Sequence, residues 1–156
     1  MSDNDKALMP EDLTRLFVER ANDGDAVGIA ALYEEHAVMA YPTGSQTVGR
    51  EAIGALWEKV LANAPRFEQE PPLPTLVSGD IALTSTPPKD GAGARAQVAR
   101  RQPDGTWLRL LDQPEFVADR AQAGTHRHQP TRLIHRSGEG PAAEGREARD
   151  EWRAGP

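Results

Sequence analysis

The chain has 156 residues, contains no cysteine and carries a formal net charge of −6. This length suits one ordinary domain, and the lack of cysteine excludes disulfides, thiolate metal sites and cysteine nucleophiles. The amino terminus lacks the basic start and apolar run of a signal peptide, and no stretch reaches the roughly 20 apolar residues of a membrane span. We therefore expect a cytoplasmic protein without a membrane partner.

The charge and the apolar residues are unevenly distributed along the chain. Residues 1–117 hold 18 acidic and 11 basic side chains, and this negative surplus repels phosphate backbones, so we expect no nucleic-acid partner. After Ala118 the only large apolar residues are Leu133, Ile134 and Trp152. Residues 118–156 are therefore predicted to be a poorly ordered, low-complexity tail, because they cannot offset their chain entropy by burial.

Three helices are predicted in the first half of the chain. The first begins near Met9 and ends at the Asn-Asp-Gly-Asp turn of residues 22–25. The second follows directly and carries Tyr33 on its apolar stripe. The third covers residues 50–64 and has the clearest helical period in the chain. Residues 1–8, ahead of the first helix, are expected to be flexible.

The remaining predicted elements are strands. A short hairpin covers residues 36–48, between the second and third helices. From Phe67 onward the pattern is all strand, with candidates at residues 67–70, 75–78, 81–86, 94–101 and 107–112. This order predicts an α+β domain over residues 9–117, with helices on one side of a bent antiparallel sheet.

Several short phrases of the chain resemble one known superfamily. They are Asn22-Asp23-Gly24-Asp25, His36-Ala37-Val38 and Val48-Gly49-Arg50-Glu51-Ala52-Ile53, with Val77 to Ala82 and Gln102 to Trp107 in the sheet half. Over residues 10–114 the chain resembles the nuclear transport factor two-like proteins, which include the SnoaL-like polyketide cyclases and the ketosteroid isomerases. The resemblance implies a cone-shaped, curved antiparallel sheet with three helices packed on it, an apolar pocket between them, and homodimers formed through the sheet.

The catalytic residues of the steroid isomerases are not matched in this chain. Those enzymes use an Asp base, with a Tyr and a protonated Asp as oxyanion donors. By the resemblance, the Tyr donor falls on Phe17, the base falls on Tyr41, and the second donor falls near Gln97 or Val98. None of these side chains suits its role, so we predict that the protein is not a steroid isomerase.

Asp112, at the end of the last predicted strand, is the leading catalytic candidate. Strict alternation along the strand places it on the same inward face as Leu108 and Leu110. A carboxyl group buried in such a pocket is suited to acid–base chemistry. The alternative is a structural role for Asp112, as a strand cap or as the ion-pair partner of Arg95 or Arg109.

Tyr41 is the second catalytic candidate, as a proton donor to the ligand. Phe17, Tyr33, Trp57 and Gln97 are predicted to line the pocket around a flat ligand. The alternative for the aromatic residues is plain core packing.

No cofactor and no metal site are predicted. The chain has no Gly-rich phosphate loop, no Gly-x-Ser-x-Gly elbow and no His-Glu-x-x-His sequence. His126, His128 and His135 lie in the predicted tail without the spacing of a metal site.

Three functions remain open from the sequence. The leading hypothesis is a SnoaL-like domain that binds a small apolar ligand. The second is a cyclase, isomerase or lyase acting on a polyketide-like or other apolar carbonyl compound, with Asp112 as the acid–base. The third is a dimeric protein-interaction module whose pocket is filled by its own side chains. An open pocket with Asp112 beside a tyrosine hydroxyl would favour the enzyme, and an interior filled by Trp57 and Tyr41 would favour the interaction module.

Overall fold

The computed structural model describes residues 5–90 and 92–116. The helices are α1 (Asp12–Asn22), α2 (Ala26–Ala30) and α3 (Arg50–Leu61). The strands are β1 (Tyr33–Met39), β2 (Thr47–Val48), β3 (Leu76–Ser78), β4 (Ile81–Thr86), β5 (Ala94–Arg101) and β6 (Trp107–Phe116). The predicted α+β class is thus confirmed, whereas the predicted tail of residues 118–156 lies outside the described residues. No helix in the described part of the chain is both long and apolar enough to cross a bilayer.

The six strands form one sheet in the order β2-β1-β6-β5-β4-β3. All neighbouring pairs are antiparallel except β1 and β6, which are parallel. The sheet is therefore mixed rather than wholly antiparallel as predicted. Two strands joined by a short turn are necessarily antiparallel. Because β1 and β6 are joined through α3 and four intervening strands, this pair is free to be parallel.

Strand β6 contains an extra residue beside its partner β5. Val98 of β5 pairs with Leu111 and the next residue, Ala99, pairs with Arg109, so β6 gains one residue over this step. A bulge of this kind reverses the inward and outward alternation of the side chains that follow it.

Because of this bulge, the prediction of which β6 side chains face inward was partly wrong. Trp107, Arg109 and Asp112 are buried on the helix side of the sheet, whereas Leu108 and Leu110 are only half-buried. Asp112 faces inward as predicted, but the two leucines do not share its side, because strict alternation does not hold across the bulge.

The core lies between the helices and the inner face of the sheet. It is built from buried apolar side chains of α1, α2, α3 and the central strands, among them Leu16, Ile29, Met39, Ile53 and Trp107. Before α3, Gly49 has φ +93° and ψ 145°, and its N–H donates to the carbonyl of Ala37 at 2.8 Å. Only glycine adopts this backbone conformation without strain, so Gly49 lets the chain turn from β2 directly into the helix.

Two predicted segments have a different structure. Residues 62–75 are irregular, although residues 67–70 were predicted as a strand, because four prolines in this segment remove backbone donors. Tyr33 begins β1 rather than continuing the second helix, which ends after five residues at Ala30. The spacing of Tyr33 from the preceding apolar residues fits a helix, but Tyr33 is buried as the first residue of a strand.

The amino-terminal segment is held in place from residue 5 onward. Ala7 is buried in the core, and its carbonyl accepts the N–H of Trp107 at 2.8 Å. The Asp12 carboxylate accepts the N–H groups of Leu8 and Met9 at 3.0 and 2.9 Å. The predicted flexibility of residues 1–8 stays a prediction, with these contacts made by residues 7 and 8.

Candidate active site

A cavity of about 410 Å³ lies between α1, α3, residues 62–75 and the inner face of the sheet. Its volume falls in the range of roughly 300–1,000 Å³ that is usual for small-molecule pockets. One wall is aromatic and carries Phe17, Trp57 and Phe67, while the sheet contributes polar side chains that include Gln97, Arg109 and Asp112. An apolar wall opposite a few convergent polar groups is the usual composition of a ligand site.

The aromatic wall is a cluster of three rings held edge to face. The Phe17 ring centroid lies 4.9 Å from that of Trp57 and 5.8 Å from that of Phe67, and the Trp57 and Phe67 centroids are 6.3 Å apart. Each contact has the steeply inclined geometry that aromatic pairs prefer. The three rings come from α1, α3 and residues 62–75, so their packing links these three parts of the wall.

The Asp112 carboxylate forms the polar end of the cavity and is held by three side chains. Its Oδ2 accepts hydrogen bonds from the Tyr33 hydroxyl at 2.5 Å and from Arg109 Nη1 at 3.5 Å. Its Oδ1 accepts from Gln97 Nε2 at 3.2 Å. All four residues are buried, and Asp112 lines the cavity. Gln97 and Arg109 line the cavity together with Asp112, whereas Tyr33 bonds the carboxylate from outside the lining.

The orientation of Gln97 is fixed by a row of inward residues across the sheet. Thr84, Gln97, Asp112 and Met39 are direct partners on four successive strands. The Thr84 hydroxyl donates to Gln97 Oε1 at 3.2 Å, which leaves the amide nitrogen directed at Asp112. Because the strands set this row, the carboxylate is positioned by rigid elements of the fold.

Arg109 is a buried, charged residue in the wall of this cavity. It is 4% exposed, its Nη1 donates to the Tyr33 hydroxyl at 3.2 Å, and its Cζ lies 5.2 and 5.6 Å from the ring centroids of Phe17 and Tyr33. A guanidinium at these distances from two rings gains cation–π stabilisation. Arg109 is thus held by aromatic faces as well as by its ion pair with Asp112.

The pKa shifts of Tyr33 and Arg109 assign their protonation states. Burial, and then the negative charge of Asp112, raise the pKa of Tyr33 far above its ordinary value. Burial acts to lower the pKa of Arg109, but the neighbouring Tyr33 and Asp112 oxygens outweigh it and raise the pKa overall. At neutral pH Tyr33 keeps its proton and Arg109 its charge, so Tyr33 is a donor to Asp112 rather than a base.

Residues 62–75 form the outer wall of the cavity and are fastened at three points. The Asn22 side chain exchanges two hydrogen bonds with the backbone of Phe67, at 3.0 and 2.8 Å. Glu70 forms an ion pair with Arg95 of β5, and the N–H of Leu73 donates to the carbonyl of Ser85 at 2.9 Å. These contacts hold the Phe67 ring against the other two rings.

The structure brings most of the predicted site residues together. Phe17, Trp57, Gln97 and Asp112 line the cavity. Tyr33 lies behind it, fully buried, and contacts Asp112 instead of lining the open space.

Tyr41 does not belong to this cavity. It is 36% exposed and lines a separate surface depression with Ser45 and Gln113. The tyrosine beside Asp112 is Tyr33, so the pairing of Tyr41 with Asp112 is corrected. The family alignment placed Tyr41 by its following proline, and that signal carries no information on where the side chain points.

Phe67 and Arg109 are among the cavity residues that were not predicted as part of the site. Phe67 was interpreted only as the start of a strand, and its position in the aromatic cluster depends on the contacts of residues 62–75. Arg109 was considered only as a structural partner of Asp112. An arginine between leucines in a strand is normally assigned to the solvent face, and only the bulge in β6 directs it inward.

A family model described as a SnoaL-like domain matches residues 14–149. The match covers most of the chain and continues past residue 117, where the sequence pattern placed the end of the domain. No curated protein sequence gives a significant match.

Solved structures share this fold at low sequence identity. An NTF2-like protein with a cystatin-like fold from Novosphingobium aromaticivorans aligns with a TM-score of 0.54 and 22% identity, over 65% of this chain and 75% of that one. A candidate dehydratase of the NTF2-like family from Streptomyces avermitilis gives 0.54 and 19%, over 68% and 92%. A ketosteroid isomerase-like protein from Erwinia carotovora atroseptica gives 0.53 and 17%, over 66% and 89%. These likenesses confirm the predicted fold.

Proposed function

Because the chain belongs to the SnoaL-like domain family, we propose that it binds a small, flat and largely apolar molecule in the cavity beside Phe17, Trp57 and Phe67. We further propose that Asp112 moves a proton on this molecule. The proposal is carried by one observation: the Asp112 carboxylate lines the cavity and is bonded from behind by the Tyr33 hydroxyl. An open cavity with this arrangement favours the acid–base enzyme over a module whose interior is filled.

The chemistry that suits this geometry is proton abstraction next to a carbonyl group. The carboxylate would accept a proton from the ligand carbon, and Tyr33, Gln97 and Arg109 would hold it in one orientation while it does so. Isomerisation of an unsaturated ketone, aldol-type cyclisation and elimination of water from a β-hydroxy carbonyl compound can each begin with such a step. The names of two structural neighbours, a candidate dehydratase and a ketosteroid isomerase-like protein, belong to the same group of reactions.

A deuterium-exchange assay tests the proposal without knowledge of the natural substrate. β-Tetralone is a flat bicyclic ketone whose acidic carbon-bound protons exchange with D₂O, and proton NMR follows their loss. We expect the protein to accelerate this exchange, and Asp112→Asn to reduce the acceleration by about 10²-fold or more, the usual contribution of a general base.

The matched control is Asp23→Asn, which changes an exposed carboxylate at the end of α1. It should leave the exchange rate unchanged. Acceleration that survives Asp112→Asn would remove Asp112 from its role. If flat ketones perturb NMR signals only outside the cavity, the binding proposal fails as well.

The outer face of the sheet favours a second role, which is self-association. Each of the six strands places one apolar residue in a single row of direct partners across this face. The row consists of Val48, Val38, Leu111, Val98, Leu83 and Leu76. Four of these side chains are 37–65% exposed, and an apolar stripe this long is typical of an interaction surface. A second copy of the chain offers a complementary stripe, since a two-fold interface uses one patch twice. We therefore propose a homodimer through the sheet.

Light scattering on a sizing column tests the dimer. We expect the mass of two chains for the unmodified protein and of one chain for Leu83→Lys, because Leu83 lies within the row. Val27→Lys is the control, since Val27 is 82% exposed on α2, away from the sheet. A single-chain mass for the unmodified protein at micromolar concentration would contradict the proposal.

A further inference from the structure

Two donors in the wall of the cavity have no partner. Among the described residues, Trp57 Nε1 and Arg109 Nε are buried side-chain nitrogens without a hydrogen bond. Nearly all buried polar groups in proteins are bonded, so each exception needs an explanation. Both residues line the same cavity, and Phe17 contacts both of them. Both unmet donors thus belong to residues of the cavity wall.

Arg109 uses only part of its hydrogen-bonding capacity. A guanidinium has five N–H donors in a fixed plane, and the contacts of Arg109 to Tyr33 and Asp112 are both made by Nη1. Nη2 makes no hydrogen bond to any residue in the described ranges, and unlike Nε it is not fully enclosed. The Phe17 and Tyr33 rings both contact the guanidinium. A positive charge is therefore fixed in place with one edge free.

We propose that Arg109 binds an oxygen of the ligand that carries or develops negative charge, so that the cavity selects flat compounds bearing a carboxylate or an enolisable carbonyl group. This inference rests on the proposed function, because it assumes that the ligand occupies this cavity. In the steroid isomerases, a tyrosine and a protonated acid stabilise the negative oxygen. By the resemblance, those two residues fall on Phe17 and on Gln97 or Val98 in this chain. We assign their role to Arg109 instead.

The proposed proton transfer needs no group other than Asp112, Arg109 and the ligand. Asp112 accepts a proton from the carbon beside the carbonyl, and the electron pair of the broken C–H bond forms a C=C bond. The carbonyl π pair moves to oxygen, and the negative charge that develops there is stabilised by the Arg109 guanidinium. Where the ligand has a C=C bond next to the deprotonated carbon, the proton returns from Asp112 to the far carbon of that bond. The oxygen pair then re-forms the C=O bond and the C=C bond moves next to it, which completes an isomerisation without a further reactant.

Two other arginines line the cavity and give the competing assignments. Arg66 is exposed, and in the described part of the chain it makes no hydrogen bond or ion pair. Arg95 is paired with Glu70. An anion held at the entrance would depend on one of these residues, whereas an anion held beside the aromatic wall would depend on Arg109.

A pair of matched ligands separates these assignments. β-Naphthoate and β-naphthamide have the same flat body, but only the first carries a negative charge at neutral pH. Titration calorimetry should show that the unmodified protein prefers the naphthoate by roughly tenfold or more, as a charge-assisted hydrogen bond implies. Arg109→Gln should bring this ratio close to one, Arg109→Lys should retain part of it, and Arg66→Gln and Arg95→Gln should leave it unchanged.

An NMR measurement on the unmodified protein covers the case in which Arg109→Gln does not fold. With ¹⁵N-labelled arginine, naphthoate should shift the Nε–H signal of one buried arginine, and naphthamide should not. Loss of the naphthoate preference in Arg66→Gln or Arg95→Gln would overturn the inference, as would equal binding of both ligands by the unmodified protein. Binding of naphthamide in the cavity without that preference would leave the proposed function standing, whereas failure of both ligands to bind there would argue against the proposed function itself.

Discussion

Tyr33→Phe tests the polar cluster around Asp112 most directly, because it removes one oxygen atom and nothing else. That oxygen donates to Asp112 Oδ2 at 2.5 Å and accepts from Arg109 Nη1 at 3.2 Å, in a fully buried position. A hydrogen bond to a charged group contributes about 1.5–3 kcal/mol, and both partners left behind here are buried residues. We therefore expect the free energy of unfolding to fall by about 1.5–3 kcal/mol.

Urea unfolding followed by circular dichroism provides the measurement, and the chain provides its own control. Tyr41 is the only other tyrosine, and it is exposed. Tyr41→Phe should change the stability by no more than about 0.5 kcal/mol, as is usual for surface substitutions.

A double-mutant cycle then separates the charge of Asp112 from general packing. In an Asp112→Asn background the bond from Tyr33 is neutral, so Tyr33→Phe should cost only about 0.5–1.5 kcal/mol. The reasoning is refuted if Tyr33→Phe costs no more than Tyr41→Phe. It is also refuted if the cost is the same in both backgrounds, because the hydroxyl would then act through packing alone.

Three further predictions concern the cavity wall, the pH and the turn before α3. Asn22→Ala should lower stability by about 1–3 kcal/mol and speed amide exchange at Phe67, whereas Asn63→Ala, an exposed change, should do neither. The raised pKa of Tyr33 means that the folded state keeps a proton which the unfolded state loses near pH 10, so stability should fall as pH rises above about 10. Urea midpoints at several alkaline pH values should show this fall, and it should be smaller in Tyr33→Phe. Gly49→Ala should cost about 1–3 kcal/mol in urea unfolding, because φ there is +93°.

The family and the order of elements could be predicted from the sequence because these signals are local. Helix α3 has an unbroken apolar period, and the Gln-Pro-Asp-Gly turn at residues 102–105 specifies the hairpin between β5 and β6 from its own composition. The predicted superfamily was confirmed by the family match. Each of these features depends on neighbours within a few residues, which a sequence pattern records directly.

The interior of the site could be predicted only in part because it depends on long-range register. Asp112 was identified as the end of a strand predicted over residues 107–112, although β6 in fact continues to Phe116. The facing of Arg109 is set by a bulge that is defined by pairing with β5. Tyr33 has the spacing of a helical residue, and its role follows from the parallel pairing of β1 with β6. No local pattern in β1 or β6 encodes that pairing.

The polar cluster is difficult to explain by stability alone. Thr84, Gln97, Arg109 and Asp112 occupy inward positions of a sheet whose other buried residues include alanine, methionine and tryptophan. Replacing a buried ion pair by apolar residues of similar size is often neutral or stabilising, so the fold itself gains little from Arg109 and Asp112. The contact between them is also long, at 3.5 Å, and leaves one edge of the guanidinium unbonded. A charge pair that is loosely made, contacted by Tyr33, Gln97 and Phe17 and placed at the wall of a cavity therefore supports the proposed ligand site over a purely structural role.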